Sequence, residues 1–571
     1  MAVKSFIYQF DNVRVEAREF RVFKNDEAIT LEPKAFTVLV FLIENRGRLV
    51  TKDDLLDALW KDSFVTPNVL TRIVAQLRRA LGDAPNNSRY IETVPTRGYR
   101  FIAEVEEIGA RNKAEAVSDK TLAVLPFKLL NPNDESNYLS VGLADSLITK
   151  LSNIRRLTVR PTSSVMRYAG ETDAGSAGRE LKVETVIDGA VQQAGDRVRV
   201  SVRLVRASDG KPLWGNTYDT QFVNIFQVQD EISARIAEAL RIQLSGDEQA
   251  RLTQQPTDNL EAYQLYLRGN FHLYQFTPDG LQKAIQFFNQ AIALDANYAL
   301  AYAGLANAYG IASSFGDDSA ALRAEAAAQK AVALDPTLAE THAALAAIFF
   351  WQKRDAAKAL ESFNRALELN PNSSVAHHYY SWFLIATARF DKAEQHLRRA
   401  LELDPLSPGI NVDQGLPFFF SRRYTEARAR YEQALKTDSN FGYAHLRLGE
   451  ACEGADDLAC AVSGFERAAA FPGGDSTVKT QLARALALAG KKDDARRILD
   501  QLTTKDAPRS SPYFIALAFA ALDEPDKAFE NLNRALAEQD KWIGWTKVDP
   551  RLDTLRQDAR FNDFLRRANL K

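Results

Sequence analysis

A small residue recurs about every 34 positions across the second half of the chain, and this period limits the fold more than any other feature. The motif A-x6-A/L begins at Ala284, Ala324, Ala359, Ala393, Ala427, Ala461, Ala495 and Ala528, at spacings of 40, 35, 34, 34, 34, 34 and 33 residues. Three units run on into a proline: AVALDP (331–336), ALELNP (366–371) and ALELDP (400–405). Proline cannot continue a helix, so each stops a second helix and opens the turn to the next unit. Nine residues before a marker alanine stands an apolar residue of a first helix, as at Leu384, Phe418 and Phe519. Three before that stands a small one: Ser381, Gly415, Gly449, Ala483 or Ala516. Small residues there let two helices approach closely. Such a period describes stacked helical hairpins, none of which buries its apolar face alone. Pro417 falls inside the first helix of the unit at 406–438 and predicts a kink.

The pattern resembles the tetratricopeptide repeat, in about eight copies over 260–540, with 541–571 as a cap on the open end. The resemblance implies an all-α superhelix whose concave groove takes a protein or peptide. Ahead of it, polar aperiodic segments at 107–119 and 245–259 read as linkers. They leave a middle region at 120–244 that alternates strand and helix patterns. TLAVLPF (121–127) is a buried strand, 138–154 has helical spacing, and LTVRP (157–161) is a strand. VETVIDGAVQQ and RVRVSVRLVRA form a hairpin about Gly195-Asp196. Val198, Val200, Val202 and Leu204 alternate with arginines there, as in a sheet with one wet face. PLWGNTYD is the next strand, and 224–244 is an amphipathic helix. The region resembles the α/β domain that precedes such repeats in bacterial regulators and some adenylate cyclases, related to FlgO and the N-terminal domain of TolB. That resemblance implies a fold and attaches no catalytic set. Asp145, Asp188 and Asp209 alone do not make a site.

Residues 1–106 carry the chemistry. Four β-patterned segments (FIYQF, NVRVEA, REFRVF, EAITL) precede a helix with apolar Phe36, Leu39, Val40 and Ile43. Thr51, with an acid three residues on, starts a second helix. Thr66-Pro67 starts a third, NVLTRIVAQLRRALGD, which Gly82 ends. RYIETV and GYRFIAEV are strands joined by the turn Pro95-Thr96-Arg97-Gly98. Residues 66–101 carry a net charge of +4, against −2 for the whole chain. Val69, Leu70, Ile73, Val74, Leu77 and Leu81 form the buried stripe of the third helix. Asn68, Thr71, Arg72, Ala75, Arg78 and Arg79 take its remaining surface. Double-stranded DNA admits one such helix in its major groove, with polar side chains on base edges and arginines on guanine or phosphate. Thr96 and Arg97 sit at the turn tip, where arginine can enter a minor groove or meet phosphate. Arg100 divides between DNA contact and structure.

These segments, with LEPKAFTVLVFLIENRGRLVTKDDLLDALW and YIETVPTRGYRF in order, resemble the OmpR/PhoB-type winged helix-turn-helix of the ToxR, CadC and HilA group of transcriptional regulators. The resemblance implies that Asn68, Thr71, Arg72, Ala75, Arg78, Arg79, Thr96 and Arg97 bind DNA. It also implies that the loop Lys61–Val65 can touch RNA polymerase. No receiver domain precedes the winged helix, so phosphoryl-aspartate signalling is not implied. The layout without a following membrane span is closer to HilA than to ToxR or CadC.

The fold class expected is therefore multidomain: a winged helix-turn-helix (α+β), a small α/β domain, and an all-α tetratricopeptide-repeat superhelix. No signal-peptide pattern opens the chain, and its longest apolar runs, near Tyr513–Leu522 and Ala343–Trp351, are shorter than a bilayer span. A soluble, cytoplasmic protein is expected. Its two cysteines, Cys452 and Cys460, exclude a disulfide framework and a multi-cysteine zinc site and fit a reducing compartment. They fall on the two helices of one repeat and read as small buried hydrophobes, with a redox switch as the alternative. All six histidines lie beyond residue 271, so the first two regions hold no histidine acid–base chemistry. His342, His377 and His445 hold equivalent repeat positions and read as packing rather than metal ligands. No phosphate loop, H-E-x-x-H or G-x-S-x-G occurs. No cofactor or metal is expected, and no enzyme. The function expected is a one-component regulator that reads promoter DNA as a homo-oligomer on adjacent half-sites. The alternative is an interaction scaffold whose repeats do the work and whose DNA domain only localises it.

Overall fold

The computed structural model describes residues 6–16, 21–25, 27–29, 31–59, 68–84, 88–103, 105–109, 120–131, 137–170, 173–275, 277–314, 318–471, 476–504 and 510–570. The chain forms two compact units, Met1–Ser118 and Asp119–Lys571.

The first unit opens with strands β1 (Phe6–Phe10), β2 (Val13–Glu16), β3 (Arg21–Lys24) and β4 (Glu27–Ile29). Helix α1 (Pro33–Glu44) follows, then β5 (Val50–Thr51), α2 (Lys52–Leu59) and α3 (Asn68–Leu81). The unit ends with β6 (Ile91–Val94), β7 (Gly98–Phe101) and β8 (Glu106–Gly109). One antiparallel sheet runs β4-β3-β2-β1-β8; the other is β5-β7-β6. β8 pairs Phe6 with Gly109, so the segment expected as a linker from 107 begins inside a sheet. Helix α1 buries Phe36, Leu39, Leu42 and Ile43 against Leu70, Ile73, Val74 and Leu77 of α3 in one core. Thr51 starts α2 as expected. Its hydroxyl accepts the Asp54 N–H at 3.0 Å, and Asp54 accepts the Thr51 N–H at 2.9 Å.

The second unit begins with β9 (Lys120–Val124), β10 (Lys128–Leu129), α4 (Tyr138–Leu151), β11 (Leu157–Val159), α5 (Thr162–Val165) and α6 (Ala174–Glu180). Then come β12 (Thr185–Ala194), β13 (Arg197–Arg206), β14 (Pro212–Gln221) and α7 (Ile225–Ala239). The mixed sheet runs β11-β9-β12-β13-β14, with β9 parallel to both neighbours and the last three strands antiparallel. Residues 245–259, expected as a linker, hold α8 (Gly246–Thr253). Ser245 and Glu248 form its capping box, and Leu252 is buried. Packing against α4 and α7 orders a segment whose polar composition concealed one helical face.

Among the described residues, eighteen helices complete the stack as eight hairpin pairs, one of them with a split first helix, and a terminal helix. They are α9 (Leu260–Leu273) with α10 (Pro278–Leu294), α11 (Ala299–Ser314) with α12 (Asp318–Leu334), and α13 (Ala339–Trp351) with α14 (Ala356–Leu369). Next are α15 (Ser374–Ala386) with α16 (Phe390–Leu403), and the split helix α17 (Pro408–Asp413) and α18 (Leu416–Phe420) with α19 (Tyr424–Thr437). The last pairs are α20 (Gly442–Gly454) with α21 (Leu458–Ala469), α22 (Ser476–Leu488) with α23 (Lys492–Thr503), and α24 (Pro512–Ala521) with α25 (Pro525–Ala537). Helix α26 (Ala559–Arg567) ends the unit. The split falls at Gln414-Gly415, just before Pro417, which removes one N–H from the ladder. The small positions work as expected. A Cβ on Gly415 would stand 2.3 Å from Tyr431, and one on Gly449 2.9 Å from Phe465. Both rings lie four residues after a marker alanine and fill the space that glycine leaves.

The equivalent histidines close the turns between repeats. His342 meets the Pro336 carbonyl at 3.0 Å, His377 the Pro371 carbonyl at 3.1 Å, and His445 the Ser439 carbonyl at 2.9 Å. Asn411 does the same for Pro405 in the fifth repeat. Cys452 and Cys460 face each other across α20 and α21 and are joined in a disulfide, with 5.7 Å between their Cα atoms. This corrects the reading of two separate small hydrophobes. Among the described residues, no helix is long and apolar enough to cross a membrane.

Candidate nucleic-acid interface

Helix α3 has two faces. Leu70, Ile73, Val74, Leu77 and Leu81 are buried, while Thr71, Arg72, Ala75 and Arg79 are exposed along one side. The side chain of Asn68 lies outside the described residues, as do the loop Lys61–Val65 and the start signal Thr66-Pro67. Gly82 ends the helix at φ 73°, a conformation that glycine adopts without strain. The Asp83 N–H returns to the Arg78 carbonyl at 2.8 Å.

Arg78 does not share the outward position expected for it. It is buried, and its Nη2 donates to the Ile91 carbonyl at 2.6 Å and to Thr93 Oγ1 at 2.8 Å. The helical period places Arg78 one residue from the core stripe, and β6 passes close enough to capture it. Arg78 therefore ties the recognition helix to the wing. Asp83 does the same from the helix end, accepting N–H groups of Arg89 at 2.6 Å and Ile91 at 2.9 Å. Sequence reasoning missed both ties, because neither partner is near in sequence periodicity.

The wing is β6, the turn Pro95–Arg97, and β7. Gly98 is forced by packing: a Cβ there would lie 2.1 Å from the Val50 carbonyl oxygen. Thr96 holds φ 61°, a left-handed conformation that β-branched residues rarely adopt. Thr96 and Arg97 are both exposed at the tip. The Arg97 carbonyl accepts the Lys52 N–H at 3.2 Å, which places the start of α2 beside the wing. Arg100 pairs with Glu92 at 2.9 Å across the hairpin, and Arg89 pairs with Asp11 at 2.7 Å. The local excess of +4 thus resolves into used and unused charge. The guanidinium groups of Arg72, Arg79 and Arg97 have no hydrogen-bond or ion-pair partner among the described residues. Three unspent cations on a helix face and a wing tip suit an anionic polymer that can approach both.

The middle sheet holds its arginines differently. Arg197 and Arg199 converge on Asp219, and Arg203 pairs with Asp188. Asp209 takes Arg206 at 3.0 Å. Asp145 is buried and accepts from Thr162 at 2.6 Å, Asn270 at 2.7 Å and Tyr274 at 2.9 Å. Each of the three middle-region aspartates is engaged in structure.

The winged helix defines a class of DNA-binding regulator, and the family matches agree with it. Residues 26–101 match the family described as "Transcriptional regulatory protein, C terminal". Residues 118–235 match "HilA/YgeH-like transcriptional regulator, second domain", and 350–410 match "Tetratricopeptide repeat". The "Transcriptional regulator HilA" of Salmonella typhi is 27% identical over 396 residues, which cover 68% of this chain and 69% of that one. The "Transcriptional activator CadC" of Escherichia coli (strain K12) is 38% identical over 86 residues, 15% of this chain and 17% of that one. "Putative adenylate cyclase 3" of Rhizobium meliloti is 31% identical over 203 residues, 35% of each chain. The chain is a homologue of the transcriptional regulators HilA and CadC. It carries an OmpR/PhoB-type DNA-binding domain, a HilA-like second domain and C-terminal tetratricopeptide repeats.

Proposed function

We propose that this chain is a one-component transcriptional regulator acting in the cytoplasm. Residues 1–106 read promoter DNA, 120–244 and 260–540 bind a protein partner or signal, and 541–571 cap the stack. Helix α3 enters the major groove. Arg72 and Arg79 meet guanine edges or phosphate, Thr71 and Asn68 read polar edges, and Ala75 packs on a thymine methyl. Thr96 and Arg97 bring the wing to the adjacent minor groove or its phosphates. Arg78 acts as a positioning residue that fixes the angle between helix and wing. Lys52, at the start of α2 beside the wing, adds a phosphate contact. The loop Lys61–Val65 touches RNA polymerase.

One winged helix buries only about 600–1,000 Å² on DNA, so useful affinity requires two copies on adjacent half-sites. No catalytic step is assigned. The observation that carries the reading is the set of unpaired arginines on α3 and the wing. Genome-wide mapping of bound DNA, with transcripts measured with and without the protein, is the test. Discrete promoter sites whose transcripts change support the regulator. Binding without transcript change would favour the scaffold, in which the DNA domain only localises the repeats.

A further inference from the structure

The second unit encloses a groove that the DNA-reading role leaves unused. The repeat arc curls until its end returns to its third repeat. Trp545, in the turn Lys541–Trp545, stacks on Trp351 of α13 at 4.9 Å and on Phe420 at 4.7 Å. Arg422 pairs with Asp553 at 2.6 Å, and Arg551 with Glu450 at 2.7 Å. The α/β domain closes another side. Arg160 donates to the carbonyls of Glu402 and Leu403 at the end of α16, and Asn372 donates to the Arg155 carbonyl at 3.0 Å. Between these walls lies a groove of about 2230 Å³. Small-molecule sites run to roughly 300–1,000 Å³. The space is at least twice that and suits a peptide segment.

Its lining holds anchored aromatic rings and an acid without a partner. Tyr379 stacks on Trp382 at 5.3 Å, both half-buried on α15. Trp382, His378 and Tyr443 all donate to buried Asp413, at 2.8, 2.7 and 2.8 Å, so these rings are held in place. Glu340, on the first turn of α13, opens into the groove. It has no hydrogen-bond or ion-pair partner among the described residues. Its side chain is exposed to the groove. The protein around it, with Asp145 second, pushes its pKa up, and no cation offsets them. Its charge in turn raises the Tyr379 hydroxyl after that residue's own burial. Among the cations on the same walls, Lys150 is engaged by Asp230, Lys353 by Glu325 and Arg447 by Glu450, while Lys479, on α22, has no partner among the described residues.

We infer that the groove binds a peptide segment through a lysine or arginine side chain seated on Glu340 and against the faces of Tyr379 and Trp382. The inference rests on the reading of the repeats as a protein-binding surface and specifies its partner chemistry. A carboxylate beside aromatic faces attracts a cation twice, by charge and by the ring quadrupole. The protein thereby supplies the acid and the partner the base.

A display library of random dodecapeptides, selected on the full-length protein, tests this. Enriched peptides should share one basic position flanked by apolar residues. Glu340→Gln should weaken a selected peptide by about tenfold or more, and Glu340→Lys should select an acidic residue at the same position. Thermal unfolding and DNA binding of both variants should match the parent, which separates lost contact from lost fold. Enriched peptides without a basic position, or the same peptides on Glu340→Lys, would overturn the cation seat while leaving the repeats a protein-binding surface. Absence of any enriched peptide would overturn both. A free diamine such as putrescine that binds as tightly as the peptide and depends on Glu340 would overturn the peptide assignment.

Discussion

Two arginine-rich faces lie in this chain, one on α3 with its wing and one along β13, and the sequence presents them alike. Both set basic residues among apolar ones. On β13 the neighbouring strands supply Asp188 and Asp219, so Arg197, Arg199 and Arg203 are spent on the sheet. On α3 and the wing, Arg72, Arg79 and Arg97 keep their charge for a partner. The lesson concerns placement: a cation becomes a binding group when no acid crosses it, and only the tertiary register decides that. Both faces are basic in composition, but only the unspent one is available to phosphate.

The largest effect should come from emptying the first face. The triple variant R72A/R79A/R97A should lose about 3 kcal/mol or more of DNA binding, roughly a hundredfold or beyond. The triple R197A/R199A/R203A should bind DNA as the parent does. Fluorescence anisotropy with a selected DNA site measures both. Loss in the β13 triple, or retention in the α3 and wing triple, would break the contrast.

A second effect separates contact from support. R78A leaves the Ile91 carbonyl and Thr93 without their buried donor and should cost the first unit about 2–3 kcal/mol of stability. R79A, one residue on and exposed, should leave stability unchanged while weakening DNA binding. Chemical denaturation of the first unit's transition reads the difference. Equal stability of R78A and R79A would remove Arg78 from its tie to the wing.

Acid should also distinguish the two units. His396 is held down to about 4, by burial first and the His377 charge second. An unfolded histidine takes its proton near pH ~6.5. Between those values the unfolded chain binds more protons, so this residue's contribution to stability falls as pH drops through that window. The first 271 residues contain no histidine. Scanning calorimetry from pH 7 to 5 should lower the repeat unit's transition, and H396Q should reduce that drop. An equal drop in H396Q would assign the acid response elsewhere. The smallest effect belongs to β13. R203A removes a largely exposed pair and should change stability by about 0–1 kcal/mol.

Much of the architecture was legible because periodicity reports burial. The 34-residue spacing, the kink before Pro417 and the buried stripe of α3 all follow from helix geometry. What remained hidden depends on partners distant in sequence. Arg78 stands 13 residues before Ile91, and no helical pattern foretells its capture by β6. The helix at 246–253 was concealed by polar composition, because its order comes from the walls it packs against. The closure of the repeat arc by Trp545 and Trp351 was equally invisible, since their contact joins repeats far apart in the chain.

The salt dependence of DNA binding tests the central contrast most directly. Each phosphate-bound cation contributes about 0.9 to the slope of log K against log salt. R72A/R79A/R97A should flatten that slope by about one unit for every arginine that meets phosphate, while R197A/R199A/R203A should leave it unchanged. An unchanged slope and affinity in the first variant, or a flattened slope in the second, would contradict the assignment of the DNA face to α3 and its wing.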